Sequence, residues 1–205
     1  VVFGLSSWGA ARRTQLGALP VAHHLRVGVI QGNIEQDKKW DPEFQEATVA
    51  RYEQLTRVAV TRGVDLVVWP ETAVPFFFQS DVTYQERLLN LVREVKTPLL
   101  FGSVGWRSKG SDTVTLFNRA YLVSSSVEVL GFYDKMHLVP FGEYVPFHDS
   151  VLFFLDKLVE GIGDFAAGTT PTVFALREGK FGVLICYEGI FPDSARRFVA
   201  EGADF

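Results

Sequence analysis

Short apolar runs, each closed by a turn residue and separated by stretches of helical periodicity, set the fold class of this chain. "LRVGVIQGNI" (25–34) ends at Gly32-Asn33 and reads as a buried strand. Asp41-Pro42 then starts a helix, with Asp as N-cap and Pro in the first turn. Phe44, Ala47, Arg51/Tyr52, Leu55 and Val58/Ala59 follow at helical spacing and mark its packing face. Gly63 stops that helix before the next buried strand, "VDLVVW" (64–69). A second helix fits 83–96, with Tyr84, Leu88, Leu91, Val92 and Val95 on one side, and "PLLFGSV" (98–104) is the strand after it. Two β–α units in succession argue for an α/β sheet covered by helices.

The middle of the chain changes period. "TVTLFNRAYLVS" (113–124) and "VEVLGFYDK" (127–135) read as a β-hairpin about a Ser-rich turn. A loop-rich stretch, 136–171, carries the apolar patch "VLFFLDKLV" (151–159). "TVFAL" (172–176) and "FGVLI" (181–185) make a second strand pair, and a helix follows from Asp193 to Ala200. At 205 residues one substantial core is expected. Apolar residues at 47% and charged residues at 21% exclude a disordered chain, and a net charge of −4 with no basic run offers no footprint for nucleic acid. Cys186 lies far in sequence from all four histidines, so no metal-ligand spacing appears.

Both ends carry a signal of their own. "VVFGLSSWGAA" is apolar up to Arg12-Arg13, too short to cross a bilayer alone. It reads as the close of a transmembrane helix or as a modest hydrophobic helix. At the other end Gly202-Ala203-Asp204-Phe205 repeats Gly63-Val64-Asp65-Leu66, so a new strand is expected to begin there. On this reading the chain is a fragment of a longer protein.

Three polar residues stand where apolar runs end: Glu71 after "DLVVWP", Lys135 after "VLGFYD" and Cys186 after "FGVLI". Singly, each has an ordinary reading: a capping or surface carboxylate, a solvated ammonium, a small buried thiol. Together their chemistry is complementary. A carboxylate can take the thiol's proton, and an ammonium can stabilise the oxyanion formed when the sulfur attacks an acyl group. Open α/β sheets keep such sites beyond the carboxyl ends of their strands. Spacing alone does not bring the three together.

"WPET" (69–72), "YDKMHLVPFGEYVPF" (133–147) and "ICYEGIFPD" (185–193) resemble the three catalytic blocks of the nitrilase, or carbon–nitrogen hydrolase, superfamily, in the family's order. The resemblance implies an αββα sandwich over residues 26–205, with two further strand–helix units beyond Phe205 and residues 1–25 as helix end and linker. It implies Glu71 as general base, Lys135 as oxyanion stabiliser and Cys186 as nucleophile on a strand-to-turn elbow. Glu143 corresponds to the family's second glutamate beside the triad, and Tyr187 and Glu188 are expected in the pocket wall. No cofactor or metal belongs to this chemistry.

Within the superfamily, the segments "VGVIQGNIEQDKKWD" (27–41) and "DFAAGTTPTVFAL" (164–176) are similar to a branch that acylates apolipoproteins at the membrane. The resemblance implies a phospholipid acyl donor, an apolipoprotein acceptor whose N-terminal cysteine amine is acylated, and Trp40 near the substrate. It also implies the bacterial inner membrane, with the catalytic domain on the periplasmic face. The Phe-rich stretches "PFFF" (75–78) and "VLFFL" (151–155) are expected to contact lipid. Arg12-Arg13 points the other way, since basic flanks favour the cytoplasmic side. The alternatives are a soluble amidase, nitrilase or carbamoylase with the same triad, and a non-catalytic domain that retains the fold. A thiol that reacts well below the ordinary cysteine pKa is expected of an enzyme and not of a structural cysteine.

Overall fold

The computed structural model describes residues 2–18, 24–35, 42–108, 113–144 and 165–205. A five-stranded sheet runs in the order β1 (Val27–Val29), β2 (Leu66–Val68), β3 (Leu99–Ser108), β4 (Val114–Val123) and β5 (Val129–Asp134). β1, β2 and β3 are parallel, and β4 and β5 extend the sheet as an antiparallel hairpin. Helices α2 (Pro42–Val60) and α3 (Val82–Val95) are the crossovers between the parallel strands. A separate ladder pairs β6 (Phe174–Leu176) with β7 (Gly179–Phe181), followed by a 3₁₀ turn at Cys186–Ile190 and α4 (Pro192–Ala200).

The two faces of the sheet are sorted residue by residue, as period-2 strands require. Val67, Leu99, Phe101, Tyr121 and Val123 join Val49 and Tyr52 of α2 and Leu88, Leu91 and Val92 of α3 in one core. Leu66, Leu100, Ala120, Leu122 and Tyr133 face the other way, onto Phe174, Phe181, Ile185 and Phe198. The β6–β7 ladder and α4 therefore cover the face that the two helices leave open. α3 begins at Asp81, whose carboxylate accepts from the Tyr84 N–H at 3.1 Å, and ends on Lys96 in the left-handed region.

Two expectations are corrected here. The buried stripe of α2 runs through Thr48, Val49, Tyr52 and Thr56, whereas Phe44, Ala47 and Val58 are exposed. The helix turns this way because the Thr56 hydroxyl accepts the Trp69 indole N–H at 2.8 Å while Tyr52 stacks on that ring at 5.0 Å. In "FGVLI" only Phe181 belongs to the ladder; residues 182–185 lie outside it, and the Gly182 N–H donates to the Phe205 carbonyl at 3.0 Å. The expected N-cap at Asp41 lies outside the described residues.

The repeated sequence at Gly63 and Gly202 is a repeated structure. Both glycines have positive φ, 69° and 92°, and each N–H returns to the carbonyl three residues back at 3.0 Å. Asp65 then donates its N–H to the Arg26 carbonyl at 2.7 Å and accepts the Arg26 N–H at 2.8 Å. Asp204 does the same with Lys180, at 2.8 Å in both directions.

Among the described residues no helix is long and apolar enough to cross a membrane. α1 (Val2–Gly17) carries Phe3, Leu5 and Trp8 exposed. Of "PFFF", Phe76 and Phe78 are core and Phe77 alone is exposed, at 41%. "VLFFL" lies outside the described residues.

Candidate active site

Glu71, Lys135 and Cys186 meet at one end of the sheet. Glu71 follows β2 at a sharp turn whose next residue, Thr72, has a φ of 44°. The turn fits because Gly102 lies beneath it: a Cβ there would sit 2.4 Å from the Thr72 nitrogen and 2.8 Å from the Glu71 Cα. Lys135 leaves β5 with its N–H donated to the Asn118 carbonyl at 2.9 Å, and its side chain is only 1% exposed. Its Nζ lies 3.3 Å from Glu71 Oε1, and 3.0 and 2.9 Å from Glu143 Oε1 and Oε2. Burial would lower the ammonium's pKa, but the Glu143 hydrogen bond and both carboxylate charges more than offset this, so it stays protonated above its ordinary range.

Cys186 sits at the elbow expected of it. It follows the buried Ile185, has a φ of 49°, and opens the 3₁₀ turn. A left-handed φ on a non-glycine residue is held only where its surroundings enforce it. The thiol is exposed, and the Glu71 carboxylate and the Lys135 ammonium both act on it, with opposite effects on its pKa. Desolvation and the Glu71 charge push the thiol pKa up, against the opposing pull of Lys135. The surroundings of Cys186 therefore favour the thiol over the thiolate. This direction runs against labelling well below the ordinary cysteine range, which a titration of Cys186 tests.

Two carboxylates hold this constellation in place, and only one of them is beside it. Glu143 bridges Lys135 and the Val139 N–H, 2.8 Å away. Glu188, expected on the pocket wall, is fully buried behind it. It accepts from the Tyr133 hydroxyl at 2.6 Å, the Met136 and His137 N–H groups at 2.7 and 3.1 Å, and the Ile185 N–H at 2.8 Å. The chain leaving Lys135 and the chain entering Cys186 are thus tied to one side chain. Tyr187 does line a cavity of about 490 Å³, with Met136, His137, Tyr144, Phe165 and Phe191. Trp40 lies outside the described residues.

Sequence reasoning missed Asn118. Its amide nitrogen donates to Glu71 Oε1 at 2.6 Å and to Glu143 Oε1 at 2.7 Å, spacing the two carboxylates that flank Lys135. The signal was present: Asn118 and Arg119 are polar residues inside an otherwise apolar strand, "LFNRAYLV". Such a set can move a proton between sulfur and carboxylate while an ammonium faces the oxygen of a bound acyl group.

The family model for carbon-nitrogen hydrolase matches residues 26–205, and the chain belongs to that family. In solved structures the fold is that of a carbon-nitrogen hydrolase from Helicobacter pylori, with a TM-score of 0.63 at 20% identity over 88% of this chain and 57% of that one. An amidase from Nesterenkonia sp. superposes with a TM-score of 0.58 at 22% identity, covering 91% and 65%. Within the family, the chain is similar to the apolipoprotein N-acyltransferase of Geobacter metallireducens, 48% identical over 179 residues, which are 87% of this chain and 34% of that protein. It is 34% identical to the enzyme of that name from Pseudomonas putida over 96% of this chain and 38% of that protein. The chain spans about a third of the length of these relatives.

Proposed function

We propose that residues 26–205 are the catalytic domain of an apolipoprotein N-acyltransferase, working through a thioester on Cys186. The observation that carries the reading is a carboxylate and an ammonium 3.3 Å apart, Glu71 and Lys135, whose charges both act on the Cys186 thiol. The choice of acceptor is supported by the name shared by the similar proteins above. In the first half-reaction Cys186 Sγ attacks the ester carbon of a phospholipid. The S–C bond forms as the thiol proton passes to Glu71, and Lys135 faces the oxyanion. The ester C–O bond breaks, and Glu71 protonates the departing lysophospholipid. In the second half-reaction the N-terminal amine of an apolipoprotein attacks the thioester and gives its proton to Glu71. The C–S bond breaks, and that proton returns to sulfur.

Such an enzyme works at the bacterial inner membrane with this domain on the periplasmic face, and residues 1–25 join it to the membrane part. The test uses the full-length protein with a phospholipid of defined acyl chain. Mass spectrometry should find one acyl adduct on the Cys186 peptide, discharged by a peptide bearing a diacylglyceryl N-terminal cysteine. An adduct that persists in Cys186→Ser would sink the nucleophile assignment. Discharge to water alone would make the protein a hydrolase.

A further inference from the structure

On the face of the sheet opposite the reacting groups lies a buried ion pair that the proposed mechanism does not use. Arg119 and Asp134 sit directly across from each other on β4 and β5. Arg119 Nε lies 2.5 Å from Asp134 Oδ1 and Nη2 lies 3.0 Å from Oδ2, a two-pronged contact. Their side chains are 2% and 7% exposed. The guanidinium also donates to the Tyr121 hydroxyl at 3.3 Å and lies 3.7 Å from the Phe132 ring centroid. Gly105 on β3 leaves room for it: a Cβ there would meet Arg119 Nε at 2.4 Å.

Burial of two charges is weak support for stability, because a well-packed apolar pair of similar volume generally serves as well. The fork between guanidinium and carboxylate does something an apolar pair does not: it fits one register. Register needs such a device here. The β4–β5 pairing shifts between Leu122 and Val123, so the hairpin turn does not dictate the alignment beyond it. A slip of one residue turns every side chain to the other face. Asn118 and Lys135 flank the pair in sequence, joined by the Lys135 N–H to Asn118 carbonyl bond at 2.9 Å, and both point to the reacting side.

We propose that the Arg119–Asp134 pair is a register lock that positions Lys135 and Asn118 for the reaction. As a statement about catalysis it rests on the role given above to Lys135. The test is the double variant Arg119→Met/Asp134→Leu in the full-length protein, read three ways. The melting temperature should hold or rise. For acyl transfer, kcat should fall at least about tenfold with KM changed by less than about twofold, the signature of misplaced reacting groups. The pH midpoint for iodoacetamide alkylation of Cys186 should move up, because Lys135 holds the thiol down against Glu71. A folded double variant with unchanged kcat and midpoint overturns the proposal. If the double variant does not fold, Arg119→Lys keeps the charge without the fork and should move kcat and midpoint in the same directions. No movement in that variant overturns the proposal equally. The midpoint needs no acyl acceptor: a shifted midpoint in a protein that acylates nothing would retire the proposed function and leave the lock standing.

Discussion

The Tyr133 hydroxyl donates a 2.6 Å hydrogen bond to the fully buried carboxylate of Glu188, deep between the sheet and the Cys186 turn. Glu188 meets neutral donors on every side, which is how a carboxylate without a cation is accommodated in a protein interior. Glu188→Ala would strand those donors, at roughly 1–3 kcal/mol each if water does not replace the carboxylate. We expect a loss of at least about 3 kcal/mol in unfolding free energy. Glu188→Gln should cost less, since only the Ile185 N–H faces the substituted position. Chemical denaturation of both variants checks the order.

The raised thiol of Cys186 makes an unusual prediction for Glu71→Gln. Desolvation remains in the variant, but the carboxylate charge that also holds the thiol up is gone while Lys135 still pulls it down. The alkylation midpoint of Cys186 should therefore fall below that of the unsubstituted protein. Acyl transfer should nevertheless drop by roughly 10²–10⁴, the usual worth of a general base. Alkylation against pH, followed on the Cys186 peptide, separates the two effects. A midpoint that rises would mean that Glu71 does not face the thiol.

Asn118 holds two carboxylates apart with one amide nitrogen. Replacing it by Ala lets Glu71 and Glu143 relax around Lys135. A displacement of about 1 Å among reacting groups costs on the order of 10²-fold in rate. We expect kcat to fall by that order, with little change in KM. Steady-state kinetics of the full-length variant decide it.

Gly102→Ala tests the turn that carries Glu71. The added methyl has only backbone to meet, the Thr72 nitrogen and the Glu71 Cα, and backbone yields poorly. Overpacking of this kind costs about 1–3 kcal/mol, and here it should also lower activity at least about tenfold by moving Glu71. Gly189→Ala is the matched control. It lies three residues from Cys186 with nothing within 4 Å of its Cβ, and should leave both readouts unchanged.

Much of this arrangement was legible beforehand, for identifiable reasons. Glu71, Lys135 and Cys186 each interrupt an apolar run, and a strand end is a place the sequence marks clearly. The hairpin and the two crossover helices followed from their periods, and Gly63 marked the end of the first helix. The stripe of α2 was read rightly at Tyr52, Leu55 and Ala59 but wrongly at Phe44, Ala47 and Val58. Its anchor is Thr56, whose value in the core depends on the indole N–H of Trp69, thirteen residues away in sequence. Phe76 and Phe78 were assigned to a lipid-facing stretch, since composition alone does not separate a core cluster from an exposed one. Glu188 looked like wall and Asn118 looked like strand. Only the packing of β5 against the Cys186 turn reveals the one, and only the proximity of Glu71 to Glu143 reveals the other.

The single ammonium of Lys135 between two carboxylates also has a consequence for proton traffic. With Cys186 neutral, the cluster carries a net charge of −1, and moving the thiol proton to Glu71 leaves that total as it was. Under the proposed assignment the negative charge only changes address, from Glu71 to the oxygen facing Lys135 and back. The proton released by sulfur leaves with the departing alcohol, and the proton released by the amine restores the sulfur. Neither half-reaction draws a proton from bulk water, so the chemistry is self-contained in hydrogen. Under that assignment this suits a lipid-borne acyl donor and a thioester that water would otherwise destroy.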